Sequence, residues 1–255
     1  MVPDINPSPE LCKEASDNDV LTNLDGLNGL TSIPGKLIIA NNTSLSDLKG
    51  LGQLSSIGTL EISGKQAFSD LFPLKNLTEV DSLNIYQTNF TGIEGLVNIT
   101  SIKENLNIAL NDALVNLDGL ENITSVGNLY IYANNQLMGI DGLRNVTSLS
   151  SLTIMWNDAL SNLDGLENLT FMDTSDLLSI QIFCNANLPS EQINQLKSQL
   201  VAHGWIQPTC SMDDYICNDS SYPLPHGWCN CLQIGAMSHM YPQCQTNPMA
   251  IIWIP

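Results

Sequence analysis

Positive charge is what this chain most lacks. Its 255 residues hold 8 Lys plus Arg against 26 Asp plus Glu, for a formal charge of −18. Nucleic acid and anionic lipid surfaces need clustered cations, so neither is an expected partner. Arg144 is the only arginine, and no histidine falls between residues 21 and 202. Histidine as a proton carrier and arginine as an anion-holding group are therefore missing from most of the chain. No stretch of ~20 apolar residues occurs, so no membrane-spanning helix is expected. The opening Met1-Val2-Pro3-Asp4-Ile5-Asn6 carries neither the basic nor the apolar stretch of a secretory leader. Cysteine is absent from residues 21–183, and the seven present stand at 12, 184, 210, 217, 229, 231 and 244. Crowding toward one end suits disulfides that close an end cap and a small appended module, and predicts an extracellular chain, secreted or at a cell surface. The odd count leaves one thiol free or paired to another chain, and Cys12 is the candidate.

What is present is a repeat. Seven segments align, beginning at Leu21, Leu45, Phe68, Phe90, Leu114, Leu137 and Leu160, with 22 to 24 residues between starts. In the clearest unit apolar residues come every third position from Leu114 through Leu117, Leu120, Ile123 and Val126, then alternate at Leu129 and Ile131. Alternation marks a half-buried strand, and triplet spacing marks a chain that keeps turning corners. Gly26, Gly50, Gly95, Gly119, Gly142 and Gly165 recur at one corner, where a positive φ would be cheap. Pro73 stands there in the third unit, so that turn should differ locally.

A single unit cannot bury its own apolar face, but stacked units can. The expected fold is a mostly β solenoid of about seven coils, either a right-handed single-stranded parallel β-helix or a leucine-rich-repeat solenoid, with a C-terminal capping helix. At ~4.8 Å per coil the stack would be roughly 30 Å long. Inward pairs should be Leu37/Ile39, Leu60/Ile62, Leu83/Ile85, Leu106/Ile108, Leu129/Ile131, Leu152/Ile154 and Ile180/Ile182. Three residues beyond each pair a polar column follows: Asn42, Lys65, Thr88, Asn111, Asn134, Asn157, Asn185. Buried asparagines can satisfy backbone groups that a turning chain leaves open. Lys65 and Thr88 should interrupt that ladder and make the second and third units its weakest part.

The patterns Val126-x-x-Leu129-x-Ile131-x-x-Asn134-x-x-Leu137 and Leu149-x-x-Leu152-x-Ile154-x-x-Asn157-x-x-Leu160 resemble the leucine-rich-repeat signature. With the Asp-Gly-Leu turn and little room for a convex helix, residues 21–210 resemble the receptor L domain of the insulin and epidermal growth factor receptors. That resemblance implies a right-handed β-helical ligand-binding module. The chain departs from those receptors in lacking an N-terminal cysteine pair and a kinase, so hormone recognition is not carried over.

Four segments follow: an N-terminal cap at 1–20, the solenoid at 21–187, a capping helix and disulfide-closed end at 188–210, and a cysteine-containing tail at 211–255. Pro9 to Ser16 reads as a short capping helix. Ser190 to His203 reads as a second helix, with Ser190 as its N-cap, Gly204 as its stop, and Ile193, Leu196, Leu200 and Val201 facing the last coil. A Cys184–Cys210 bridge would clamp it, contributing roughly 3 kcal/mol through loop closure. In the tail, Cys217, Cys229, Cys231 and Cys244 are disulfide candidates. Zinc is the alternative there, with His226 and His239, but Cys229-x-Cys231 is spaced too tightly for the usual zinc pair.

Nine Asn-x-Ser/Thr sequons occur, at Asn41, Asn42, Asn76, Asn89, Asn98, Asn122, Asn145, Asn168 and Asn218. Asn76, Asn98, Asn122, Asn145 and Asn168 hold one position in successive units and would stand ~4.8 Å apart, too close for adjacent glycans. With Thr31, Ser55, Thr78, Thr100, Thr124, Thr147 and Thr170 they read instead as a structural ladder. Glycosylation at alternate units such as Asn122 and Asn168, or at Asn41, Asn89 and Asn218, is the other reading. The outward strand columns should be Ile38, Glu61, Asn84, Asn107, Tyr130, Thr153, Gln181 and Ala40, Ser63, Tyr86, Ala109, Tyr132, Met155, Phe183. Tyr86, Tyr130, Tyr132, Met155 and Trp156 gather aromatic surface, either as a binding patch or as cross-strand pairs that only stabilise the sheet. Asp25, Asp118, Asp141 and Asp164 line one turn, where turn formation competes with calcium binding; no metal site and no cofactor is expected. The function that follows is recognition of a protein or glycan on the solenoid face, not catalysis. An ice- or surface-binding solenoid is one alternative, and a β-helical polysaccharide-active enzyme is another that Arg144 alone supplies poorly.

Overall fold

The computed structural model describes residues 13–172, 180–204, 216–218 and 230–232. The chain divides into two compact units, 1–207 and 208–255. The first unit is a parallel β-solenoid. Its strands are β1 (Lys13–Ser16), β2 (Ser32–Ala40), β3 (Ser56–Ser63), β4 (Glu79–Tyr86), β5 (Ser101–Ala109), β6 (Ser125–Tyr132), β7 (Ser148–Met155), β8 (Phe171–Met172) and β9 (Ile180–Phe183). They form one nine-stranded sheet in which β1 to β8 lie in chain order and β9 pairs with β7. In the second unit β10 (Ile216–Asn218) pairs antiparallel with β11 (Asn230–Leu232), which sets Cys217 opposite Cys231. Cys12, Cys210, Cys229 and Cys244 lie outside the described residues.

Every inward pair stacks on its neighbour. Leu129 is in register with Leu106 and Leu152, and Ile131 with Ile108 and Ile154. These columns are almost wholly removed from water, as are the triplet leucines Leu114, Leu117 and Leu120. Each fully buried Leu or Ile contributes about 2 kcal/mol of transfer free energy. The period of the sequence is thus the period of the core.

Between strands the chain turns through 3-10 helices at Asp25–Leu27, Lys49–Leu51, Phe72–Leu74, Glu94–Leu96, Asp141–Leu143 and Asp164–Leu166. The Pro73 turn has the same form as the others. Proline needs no N–H in a first helical turn, so the local difference expected there does not arise. The glycine column also has a different cause from the one expected. Only Gly119 holds a positive φ, 106°. Gly50, Gly95, Gly142 and Gly165 are glycine because coils touch: a Cβ on Gly50 would fall 1.8 Å from the Leu24 carbonyl oxygen, and one on Gly142 1.9 Å from that of Leu117. Gly26, in the first such turn, has nothing within 4 Å.

Left-handed corners sit one residue beyond the strands, at Asp17, Asn41, Gly64, Gln87, Leu110, Ala133, Trp156 and Cys184. Such a φ is unfavourable for a side-chain-bearing residue by ~1–2 kcal/mol. It is held because the corner amide adds a further rung to the sheet, as when Leu110 N–H donates to the Tyr132 carbonyl at 2.9 Å. The next residue turns inward and begins the asparagine ladder. Asn157 Nδ2 donates to the Ile131 carbonyl (3.0 Å) and to Asn185 Oδ1 (3.1 Å), and Asn134 and Asn111 repeat the pattern.

Lys65 does not take part and is exposed. Gln66, one residue on, replaces it: its Oε1 accepts from Asn42 N–H at 3.1 Å, and its Nε2 donates to the Ser63 carbonyl at 2.6 Å. The longer amide side chain spans the extra residue. Thr88 joins the ladder in one direction only, donating its N–H and its hydroxyl to Asn111 Oδ1.

The expected helix at Pro9–Ser16 is corrected from Lys13 onward. Lys13–Ser16 is a strand, paired in parallel with β2. An open sheet edge offers unpaired N–H and C=O groups, and another strand covers them better than a helix would. Helix α1 (Ser190–Ala202) forms as expected, although Pro189 rather than Ser190 holds the N-cap position. Leu196 and Leu200 are buried, but Val201 is 49% exposed. Its place on the inner face is taken by glutamines. Gln199 Nε2 donates to the Leu166 and Leu169 carbonyls, and Gln192 Oε1 accepts from Leu163 N–H. Cys184 is disulfide-bonded; its expected partner Cys210 lies outside the described residues. Among the described residues no helix is long and apolar enough to cross a membrane.

Candidate functional site on the strand face

Strand alternation and register fix the outward columns. Asn84, Asn107, Tyr130, Thr153 and Gln181 are successive partners across β4 to β9, as are Tyr86, Ala109, Tyr132, Met155 and Phe183. The face falls into two chemically distinct halves.

Toward β2 it is charged and internally satisfied. Lys36 Nζ lies 2.6 Å from Glu61 Oε2, and the Tyr86 hydroxyl donates to Glu61 Oε1 at 2.5 Å. Burial, and then the neighbouring Glu61, push the Tyr86 phenol above its ordinary value. Tyr86 is therefore tied to the Lys36–Glu61 pair and stands apart from the other aromatics.

Toward β9 the outward strand positions among the described residues carry no formal charge. Tyr132 and Trp156 meet edge to face with centroids 4.9 Å apart, and Trp156 meets Phe183 in the same way at 6.0 Å. Offset and edge-on ring pairs of this kind contribute ~0.5–1.5 kcal/mol beyond burial. Trp156 enters the row because the left-handed corner after β7 places it next to the strand ends. Met155 lies between Tyr132 and Phe183 in register. Tyr130 is two residues before Tyr132 on the same face, between Asn107 and Thr153. All of these side chains are only half-buried, and burial alone raises the Tyr132 phenol. Phe183 was legible as an outward position but not as part of the aromatic group, because the corner that brings Trp156 to it leaves no composition signal.

The opposite, turn-bearing side is a working surface of the fold. Asn76, Asn98, Asn122, Asn145 and Asn168 each donate Nδ2 to a carbonyl of the preceding coil, at 2.6–2.8 Å. The hydroxyls of Ser55, Thr78, Thr124, Thr147 and Thr170 do the same at 2.9–3.3 Å. At the acidic turns, Asn23, Asn116 and Asn162 accept from the amides of Asp25, Asp118 and Asp164. The Asp118 carboxyl is raised, first by burial and then by Glu121, Glu94 and Asp141. Among the described residues no group of three or more His, Cys, Asp or Glu could hold a metal ion.

Sequence comparison finds no protein-family model that matches the chain and no curated relative that matches it.

Proposed function

We propose that this chain is an extracellular or cell-surface recognition module that binds a protein or glycan on its strand face, at the end formed by Tyr130, Tyr132, Met155, Trp156 and Phe183. A right-handed winding of about seven coils, kin to the receptor L domain, belongs to this proposal. One observation carries it: on a chain of charge −18, the aromatic row lies beside uncharged amide and hydroxyl side chains on the strand face. Aromatic anchors with polar tips give contact area at little entropic cost and are the groups on which binding energy concentrates.

The test is a glycan and protein-ectodomain array, followed by affinity measurement on any ligand found. Tyr132→Ala and Trp156→Ala should each weaken binding by ~10-fold or more. Tyr86→Ala should leave it nearly unchanged, because Tyr86 already spends its hydroxyl on Glu61. Full affinity in both aromatic variants would remove the patch from the proposal.

A further inference from the structure

Eight of the nine sequon asparagines have described side chains, and the fold engages seven of them. Asn42 is fully buried and donates to the Ala15 carbonyl. Asn41 donates to Asp17 Oδ1 at 3.0 Å, while its own Oδ1 fills the space that a Cβ on Gly64 would need. The five column asparagines donate to the preceding coil. A sugar on any of these would share a nitrogen already committed, and adjacent ones would stand ~4.8 Å apart.

Asn89 differs. It is exposed, and among the described residues no hydrogen bond engages its side chain. Its backbone is nevertheless fixed on both sides. Thr88 is bonded into the amide ladder at 2.7 Å, and Phe90, with no exposure, packs on Phe68 with centroids 5.6 Å apart. Ala67, the residue before Phe68, is exposed and carries only a methyl. On the other side Asp112 is occupied, since its Oδ1 accepts from Asn135 at 3.0 Å. Thr91, which completes the sequon, is exposed.

We propose that Asn89 is an N-glycosylation site of this chain and the one that its folded repeats leave open. The Asn89 amide nitrogen attacks C1 of an oligosaccharide carried on a polyprenyl pyrophosphate. The C1–Nδ2 bond forms, the C1–O bond to pyrophosphate breaks, the lipid pyrophosphate leaves with that electron pair, and the amide loses one proton to solvent. The glycan would stand beside β4, three strands or ~14 Å from β7 and Trp156. Asn89 lies beyond the corner at Gln87 that ends β4, so the glycan would be attached off the strand face.

The full chain, secreted from eukaryotic cells behind a cleavable leader, tests this. Enzymatic deglycosylation in heavy-oxygen water followed by peptide mapping reads each site separately. Occupancy at Asn89 should exceed that at each of Asn76, Asn98, Asn122, Asn145 and Asn168 by ~10-fold, given the bulk of adjacent glycans. Thr91→Ala should reduce the intact mass by one glycan without changing thermal unfolding of the deglycosylated protein, whereas Thr100→Ala should leave the mass pattern intact. Column asparagines occupied as often as Asn89, or Asn89 unmodified in secreted and retained fractions alike, would overturn the proposal. The leader imposes the secretory route, so the result bears on Asn89 and leaves the ligand reading untouched.

Discussion

A buried asparagine in this fold serves three coils at once. Asn134 Oδ1 accepts from the Asn111 amide, its Nδ2 reaches the Ile108 carbonyl, and its own N–H donates to Asn157. Removing a link of this kind orphans groups that water cannot reach, at about 1–3 kcal/mol each. The ladder's one irregular member allows a sharp test. Gln66→Ala should lower the unfolding free energy by about 2 kcal/mol in urea titrations, because Asn42 N–H and the Ser63 carbonyl lose their partner. Lys65→Ala should stay within ~0.5 kcal/mol of the parent, as exposed substitutions usually do. The reverse order would restore Lys65 to the position that strict spacing assigns it. Counting three residues beyond each strand pair located every asparagine correctly and failed only here. One added residue shifts the count, and only a side chain's reach reveals the repair.

At the scale of the element, the glycine corner shows why a right pattern can have a wrong cause. Periodic glycine reads equally as positive φ or as close approach, and the two differ only in what lies on the neighbouring coil. Gly142→Ala should cost about 3 kcal/mol, because its methyl would overlap the Leu117 carbonyl. Gly26→Ala, with open space around it, should change stability by less than ~0.5 kcal/mol. Parallel melting curves separate the two causes, and equal losses at both sites would return the column to backbone conformation. The acidic turns supply a pH test. Because the Asp118 carboxyl is raised, the folded chain holds its proton more tightly than the unfolded chain does. Its charge therefore opposes folding above the raised value, and the penalty fades as pH falls through and below the ordinary 3.8. Asp118→Asn should raise Tm modestly at pH 7 and leave it unchanged at pH 3; a lower Tm at pH 7 would show that the carboxylate supports the turn. The strands of the repeats, their inward pairs and the α1 range were legible from apolar spacing, whereas the β1 strand at Lys13–Ser16 was not. Gln192 and Gln199 were not, because a polar residue that caps the last coil's backbone looks in sequence like an ordinary solvent-facing helix position.

The described repeats of the first unit form a one-dimensional stack, so their stability is a sum over neighbouring interfaces rather than a property of one core. From Thr88 to Asn185 every ladder position hydrogen-bonds to the next. From Asn18 to Gln66 a second run exists, through Asn42. Among the described residues no hydrogen bond joins Gln66 to Thr88, although β3 and β4 stay in register across the gap. The backbone sheet is continuous while the buried amide chain has one missing rung, and a stack opens first at its weakest interface. Native-state hydrogen exchange should therefore show β1 to β3 opening together, with amide exchange ~10-fold or more faster than in β5 to β7. Thr88→Asn puts an amide where the rung is missing and should slow exchange in β2 and β3 while leaving β6 and β7 unchanged. Uniform protection from β2 to β7 in the parent, or a Thr88→Asn variant that protects both halves equally, would mean that leucine stacking alone sets the cooperative unit and that the asparagine ladder merely follows it.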